Sequence, residues 1–147
     1  MERISYQKRL TRNIKLREVM RKPICIIPAR AGSKGVQKKN IRTIGGKPLI
    51  SYTIKSALDS KIFSHVIVST DDKKIAAIAK KCGAEVPFMR PKYLATDNIP
   101  LEPVLLHTIK KLNSSGIFFD IFVLRDCTVP FIDANDMKGA IKLLKKI

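Results

Sequence analysis

The sequence predicts an α/β fold in which helices cover both faces of a mainly parallel sheet. Short β-branched runs alternate with longer stretches of helical period. The first of these runs leads directly into a basic, glycine-containing loop, and no repeat or low-complexity tract breaks the alternation. At 147 residues, 45% of them apolar, the chain has room for one domain with a core of its own and not for two.

Taken in order, Ile24 to Ile27 reads as a buried first strand, broken at Pro28. Leu49, Tyr52, Thr53, Ala57 and Leu58 fall on one face of a helix of about three turns. His65 to Thr70 is β-branched and reads as the second strand. Lys73 to Lys81 forms an amphipathic helix on Ile75, Ile78 and Ala79, ended near Gly83 as helices often are. A short extended piece at Glu85 to Phe88 follows, then a loop with two prolines. Pro103 suits the first turn of a helix running to about Leu112, since that position needs no N–H donor. Asp120 to Leu124 is the third main strand. Asp133 or Asn135 caps a last helix built on Met137, Ala140, Ile141 and Leu144.

The loop after the first strand is the most informative segment. Residues Ile26 to Ile41 include Arg30, Gly32, Ser33, Lys34, Gly35, Lys38, Lys39 and Asn40. A flexible backbone with many donors at the carboxyl end of a strand suits phosphate binding. Gly32 and Gly35 allow close approach of the main chain, having no Cβ. Arg30, Lys34 and Lys39 can give charge-assisted hydrogen bonds to anionic oxygens. The P-loop order does not fit, because Gly32-Ser33-Lys34-Gly35 stands in its place, and the dinucleotide Gly-x-Gly-x-x-Gly pattern is absent.

Composition narrows the function classes. No stretch approaches the roughly 18 to 20 apolar residues of a membrane span, and the N-terminus shows no export-signal core. Cys25, Cys82 and Cys127 are odd in number and widely spaced, as reduced thiols of a cytoplasmic protein are, rather than staples or zinc ligands. His65 and His107 are far apart and read as a strand-start and a helix-face residue. The formal net charge of +17 suits polyanionic ligands. After residue 22, however, seventeen lysines and four arginines are spread over every helix, and no aromatics interleave with them as a single-strand binding surface requires. Nucleic acid is therefore not the expected partner. Residues 1–22, with five arginines and three lysines against two glutamates, form a basic extension expected to be disordered, and residues 23–147 the folded part.

The segment Ile26-Ile27-Pro28-Ala29-Arg30-Ala31-Gly32-Ser33-Lys34-Gly35 resembles the signature of the acylneuraminate cytidylyltransferase family, the CMP-sialic acid synthetases and their legionaminic and pseudaminic relatives. Further segments match in order. Gly45-Gly46-Lys47-Pro48-Leu49-Ile50 opens a helix, and Val66 to Asp72 forms a strand and turn. Gly83 to Phe88, Arg90-Pro91 and Leu94-Ala95-Thr96-Asp97 follow. The resemblance implies a Rossmann-like, three-layer nucleotidyltransferase fold, incomplete at its C-terminus. It also implies transfer of CMP from CTP to an acidic nonulosonic sugar with release of pyrophosphate, usually with magnesium. By this match Ala29, Arg30, Gly32, Ser33, Lys34, Lys39 and Asn40 surround the nucleotide, with Arg30 and Lys39 acting on the phosphates during catalysis. Arg90 reaches the nucleotide from a second loop or is a surface arginine beside a turn proline. Asp97 serves the nucleotide site or caps a turn, and Asp71 and Asp72 cap the next helix rather than bind metal.

Three departures from the family pattern stand out. Where the family has Leu-Gln-Pro-Thr-Ser-Pro-Leu-Arg, this chain has Arg125 to Ile132, so Asp126 takes the glutamine position in the sugar pocket and Ile132 that of the arginine. Asn98 to Leu101 replaces a serine-rich stretch. The chain ends at Ile147, where the family continues with an acidic magnesium pair, much of the sugar pocket and a dimerisation arm. The expectation is a nucleotide-binding part with little synthetase activity alone and no evident metal site. Met20, just before the first strand, is an alternative start. Two other readings stay open: a sugar-1-phosphate nucleotidyltransferase using another nucleotide, and a non-enzymatic basic nucleotide- or RNA-binding module.

Overall fold

A computed structural model describes residues 21–32 and 39–147. The extension up to residue 20 lies outside the described residues, as do Ser33, Lys34 and Gly35. Strand β1 (Ile24–Pro28) is the centre of a three-stranded parallel sheet, between β4 (His65–Ser69) and β5 (Phe122–Leu124). In register, Ile24 lies between His65 and Phe122, and Ile26 between Ile67 and Leu124. A strand buried on both faces has no need of polar alternation, which explains the unbroken apolar run of β1. The expected extended piece is present as one bridge: Glu85 pairs with Ile67 on the outer side of β4.

Side chains of β1 alternate between two cores. Cys25 and Ile27 join Ile50, Ile54 and Ala57 of α1 (Leu49–Asp59) and Ile75, Ala76 and Ala79 of α2 (Lys73–Lys81). Ile24 and Ile26 turn the other way, onto Leu112 and Leu105 of α3 (Leu101–Ser114). The last helix, α4 (Ala134–Leu144), packs on α1. Helices therefore cover both faces, and the three-layer α/β expectation holds. Among the described residues no helix is long and apolar enough to cross a membrane.

The local differences have physical reasons. The buried face of α1 is Leu49, Ile50, Thr53, Ile54 and Ala57; Leu58 is 39% exposed and Tyr52 half-buried. Tyr52 instead braces a hairpin, donating its hydroxyl to the Ile44 carbonyl at 2.5 Å. That hairpin pairs β2 (Thr43–Ile44) with β3 (Lys47–Pro48). Gly45 and Gly46, at φ 58° and 79°, supply the two positive φ values that a tight hairpin turn requires. The glycine pair thus makes a turn, and the helix opens only at Leu49. In α4, Met137 and Ile141 are buried, while Ala140 and Leu144 face solvent. Asp133 is its cap, in a reciprocal capping box with Asp136.

Candidate functional site

The segment leaving β1 is fixed at three consecutive residues. Ala29 is fully buried and extends the strand pairing by one bond, its N–H donating to the Ser69 carbonyl at 2.8 Å. The Arg30 carbonyl accepts from Asn40 Nδ2 at 3.0 Å. The Ala31 N–H donates to the Asp71 carboxylate at 2.9 Å. Asn40, on a short 3₁₀ turn (Lys39–Ile41), is 7% exposed, so its amide is a built-in brace. Gly32 is exposed, and a Cβ there would meet nothing within 4 Å. Packing in the described structure thus places no demand for glycine at that position.

These residues border a cleft of about 230 Å³ beyond the carboxyl ends of β1 and β5. Arg30, Lys39, Asn40, Arg90, Asp97 and Asp126 all line it, so six of the sequence-predicted residues converge. Larger cavities lie elsewhere on the molecule. Position decides between them, since ligands of open parallel sheets bind at the carboxyl ends of the strands.

Charge in the cleft is partly self-compensated. Arg30 Nη1 donates to Asp97 Oδ1 in a half-exposed ion pair. Arg90 is only 5% exposed. Its Nη2–H donates to the Ser69 carbonyl at 2.7 Å, Nε–H to the Ser69 hydroxyl at 3.1 Å, and Nη1–H to the Leu94 carbonyl at 3.4 Å. Burial lowers its pKa, Asp71 opposes that shift, and Arg30 reinforces it; a guanidinium nevertheless stays charged. Three of its five N–H donors thus tie β4 to the Lys92–Leu94 turn, at the wall of the cleft. Asp126 is exposed and accepts the Thr128 N–H at 2.8 Å, forming a local turn.

Three residues of the site escaped the sequence reading. Asp71 holds the β1 loop rather than a helix end. Thr96 lines the cleft. Arg125, 2% exposed, holds the following loop from beneath. Its Nη1 donates to the Ile132 carbonyl and the Ser56 hydroxyl, both at 3.2 Å, and Nη2 reaches the Val129 carbonyl at 3.4 Å. No carboxylate pairs with it among the described residues, and burial lowers its pKa. The histidines serve packing and pairing: His65 Nδ1 lies 2.7 Å from Glu85 Oε2, and His107 stands edge-on to Phe88.

Residues 24–146 match the family described as cytidylyltransferase. The chain belongs to this family. A pseudaminic acid cytidylyltransferase of Campylobacter jejuni is 42% identical over 119 residues, which cover 81% of this chain and 51% of that protein. A CMP-N,N'-diacetyllegionaminic acid synthase of Legionella pneumophila is 39% identical over 122 residues, 83% of this chain and 53% of that protein. The chain spans about half the length of these curated relatives. Among solved structures, a CMP:2-keto-3-deoxy-manno-octonic acid synthetase complexed with CTP superposes with a TM-score of 0.73 at 24% identity, covering 86% of this chain and 48% of that one. That likeness establishes the nucleotidyltransferase fold.

Cytidylyltransferases commonly work with a divalent ion, and magnesium is what the sequence resemblance implied. Among the described residues no group of three or more His, Cys, Asp or Glu could hold one. The cleft's own carboxylates are engaged, Asp97 by Arg30 and Asp126 by the Thr128 N–H. Magnesium, however, usually takes only one or two carboxylates together with substrate phosphates and water, and Asp97 and Asp126, which line the cleft, are the carboxylates that would hold it there. What the cleft itself presents is a mainly cationic and amide lining, with Arg30, Lys39, Asn40 and Arg90.

Proposed function

We propose that this chain is the nucleotide-binding portion of an enzyme that transfers CMP from CTP to an acidic nonulosonic sugar. In that reaction the sugar's anomeric hydroxyl attacks the α-phosphorus. The new O–P bond forms as the bond to the β-phosphate oxygen breaks, pyrophosphate leaves, and the hydroxyl proton passes to solvent. Arg30 and Lys39 act by holding phosphate oxygens, which offsets the charge that gathers there in the transition state. Asn40 and Asp71 hold the segment that carries Arg30, so less order must be gained on binding. Ser33 and Lys34 belong to the same phosphate loop in this reading. Asp126, across the cleft, faces the sugar, and the names of the relatives favour pseudaminic or legionaminic acid.

The observation that carries the proposal is the convergence of Arg30, Lys39 and Asn40 in a cleft beyond the strand carboxyl ends. Calorimetric titration with CTP, GTP, UTP and ATP tests it. CTP should bind most tightly, with a matching rise in melting temperature through mass action. Preference for GTP would transfer the assignment to a sugar-1-phosphate nucleotidyltransferase, and equal binding of all four would remove the cytidine specificity.

A further inference from the structure

A second cavity, of about 560 Å³, lies at the opposite end of the sheet from the nucleotide cleft. Arg21, Lys22 and Pro23 line it just before β1, and Lys61 and Ile62 line it where α1 leads toward β4. Its far wall is α4. There Lys138, Ile141, Lys142 and Lys145 recur at three- and four-residue spacing, which stacks them on one helix face. Pro23 and Ile141 are buried, so the floor is apolar and the rim cationic. With Lys146, seven of the ten lining residues are lysine or arginine, and none is acidic.

Lysines on solvated convex faces are ordinary in this chain. Here they converge from three separate segments on one concave surface, where the field of like charges is focused rather than dispersed. None of the seven forms an ion pair among the described residues. The neighbouring Asp120 accepts the main-chain N–H of Arg21 at 2.9 Å, while the Arg21 guanidinium lies over the Phe118 ring, 5.3 Å from its centroid. Lys61 stands at this rim just past the end of α1, its N–H on the Leu58 carbonyl at 3.1 Å. Its φ of 57° is positive, a backbone conformation that disfavours any residue with a Cβ and is usually left to glycine after a helix.

We propose that this cavity binds a compact polyanion bearing several phosphate groups, at a site distinct from the nucleotide cleft. A small ligand fits better than a nucleic-acid strand, because no aromatic side chain lines the cavity to stack a base. The ligand neutralises charges that otherwise repel one another and joins α4 to the α1–β4 connection. It therefore stabilises the fold without touching the groups assigned to CMP transfer.

Inorganic tripolyphosphate is the probe, titrated calorimetrically into the 147-residue chain at constant ionic strength. Two binding events are expected in the wild type, one at each site. Lys138→Gln/Lys142→Gln should weaken one of them by about tenfold or more and leave CTP binding unchanged. Arg30→Ala should remove the other and spare the first. Lys145→Gln/Lys146→Gln gives an independent loss at exposed positions, and circular dichroism verifies that each variant is folded. A single event abolished by Arg30→Ala would overturn the proposal, as would cavity variants that bind like wild type. A thermal shift reproduced by sodium chloride at equal ionic strength, or binding of single-stranded RNA without binding of tripolyphosphate, would overturn it as well. These outcomes do not depend on which nucleotide the cleft prefers.

Discussion

Arg30 faces two anions in turn, the Asp97 carboxylate that holds it in the structure and the phosphates it is proposed to hold in the reaction. A half-exposed ion pair of this kind contributes little to stability, about 0 to 1 kcal/mol. Its weight falls on the site instead, because Asp97 occupies one of the donors a phosphate would take. Arg30→Ala is expected to weaken CTP binding by about tenfold or more, the scale of a lost hydrogen bond to a charged group. Asp97→Asn is expected to strengthen it a few-fold, and neither change should move the melting temperature by more than about 4 °C. Calorimetry on both variants checks this. Weaker binding in Asp97→Asn would mean that the carboxylate aims Arg30 at the ligand rather than competing with it. That Arg30, Lys39, Asn40, Asp97 and Asp126 gather at one cleft was legible through the motifs that carry the family resemblance, which for Asp97 left a turn cap as the other reading. Asp71 was not, since it acts across a long sequence gap onto Ala31, and Arg125 was not, since only the fold buries its guanidinium among the carbonyls of Val129 and Ile132 and the hydroxyl of Ser56.

Among the elements, the turn after β4 shows how adjacent identical residues divide two tasks. Asp72 caps α2, its carboxylate accepting from the N–H groups of Lys74 at 2.6 Å and Ile75 at 3.0 Å. Asp71 turns toward the site and holds the Ala31 N–H. The two losses should separate. Asp72→Ala is expected to cost about 1 kcal/mol in urea denaturation, the usual value of a lost cap, with CTP affinity intact. Asp71→Ala should weaken CTP binding with a smaller change in stability, and the reverse pattern would exchange the two roles. The sequence reading placed both residues at the cap because local spacing cannot say which of two neighbours faces inward. The same limit explains α1, where Ile50 and Ile54 are buried rather than Tyr52 and Leu58. A three-turn helix against a sheet and a second helix has a wide apolar face, and the hairpin draws Tyr52 to its rim. The α2 boundaries were legible because strong chemistry marks both ends. Gly83, at φ 100°, closes the helix with its N–H on the Lys80 carbonyl, and the Ala84 N–H returns to the Ala79 carbonyl.

Over the whole molecule, the alternation of strand and helix announced a parallel sheet, yet nothing local could say that β1 lies between β4 and β5, because that order rests on pairings far apart in sequence. The sandwiched position of β1 has a titration consequence. Cys25 on β1 and Cys127 just after β5 are buried, and burial pushes both thiols from an ordinary 9.0 up to about 12. Arg125 pulls both values back down, but by less than burial raises them. In the unfolded chain each thiol loses its proton near pH 9, while in the folded chain it keeps the proton until about pH 12. The unfolded state therefore binds fewer protons across that window, and folding stability must fall as pH rises through it, by up to about 1.4 kcal/mol per pH unit for each thiol. Below the unfolded value this contribution is fully present. Lysine deprotonation over the same range also changes stability by relieving repulsion, so the comparison that isolates the thiols is between wild type and Cys25→Val/Cys127→Ala. Urea midpoints at intervals from about pH 8 to about pH 10.5 should fall more steeply in the wild type than in the double variant. Parallel curves would show that the two sulfurs meet water in the folded state. Alkylation checks the same burial by a separate route: the half-buried Cys82 should react in the native protein, and Cys25 and Cys127 only once the sheet has opened.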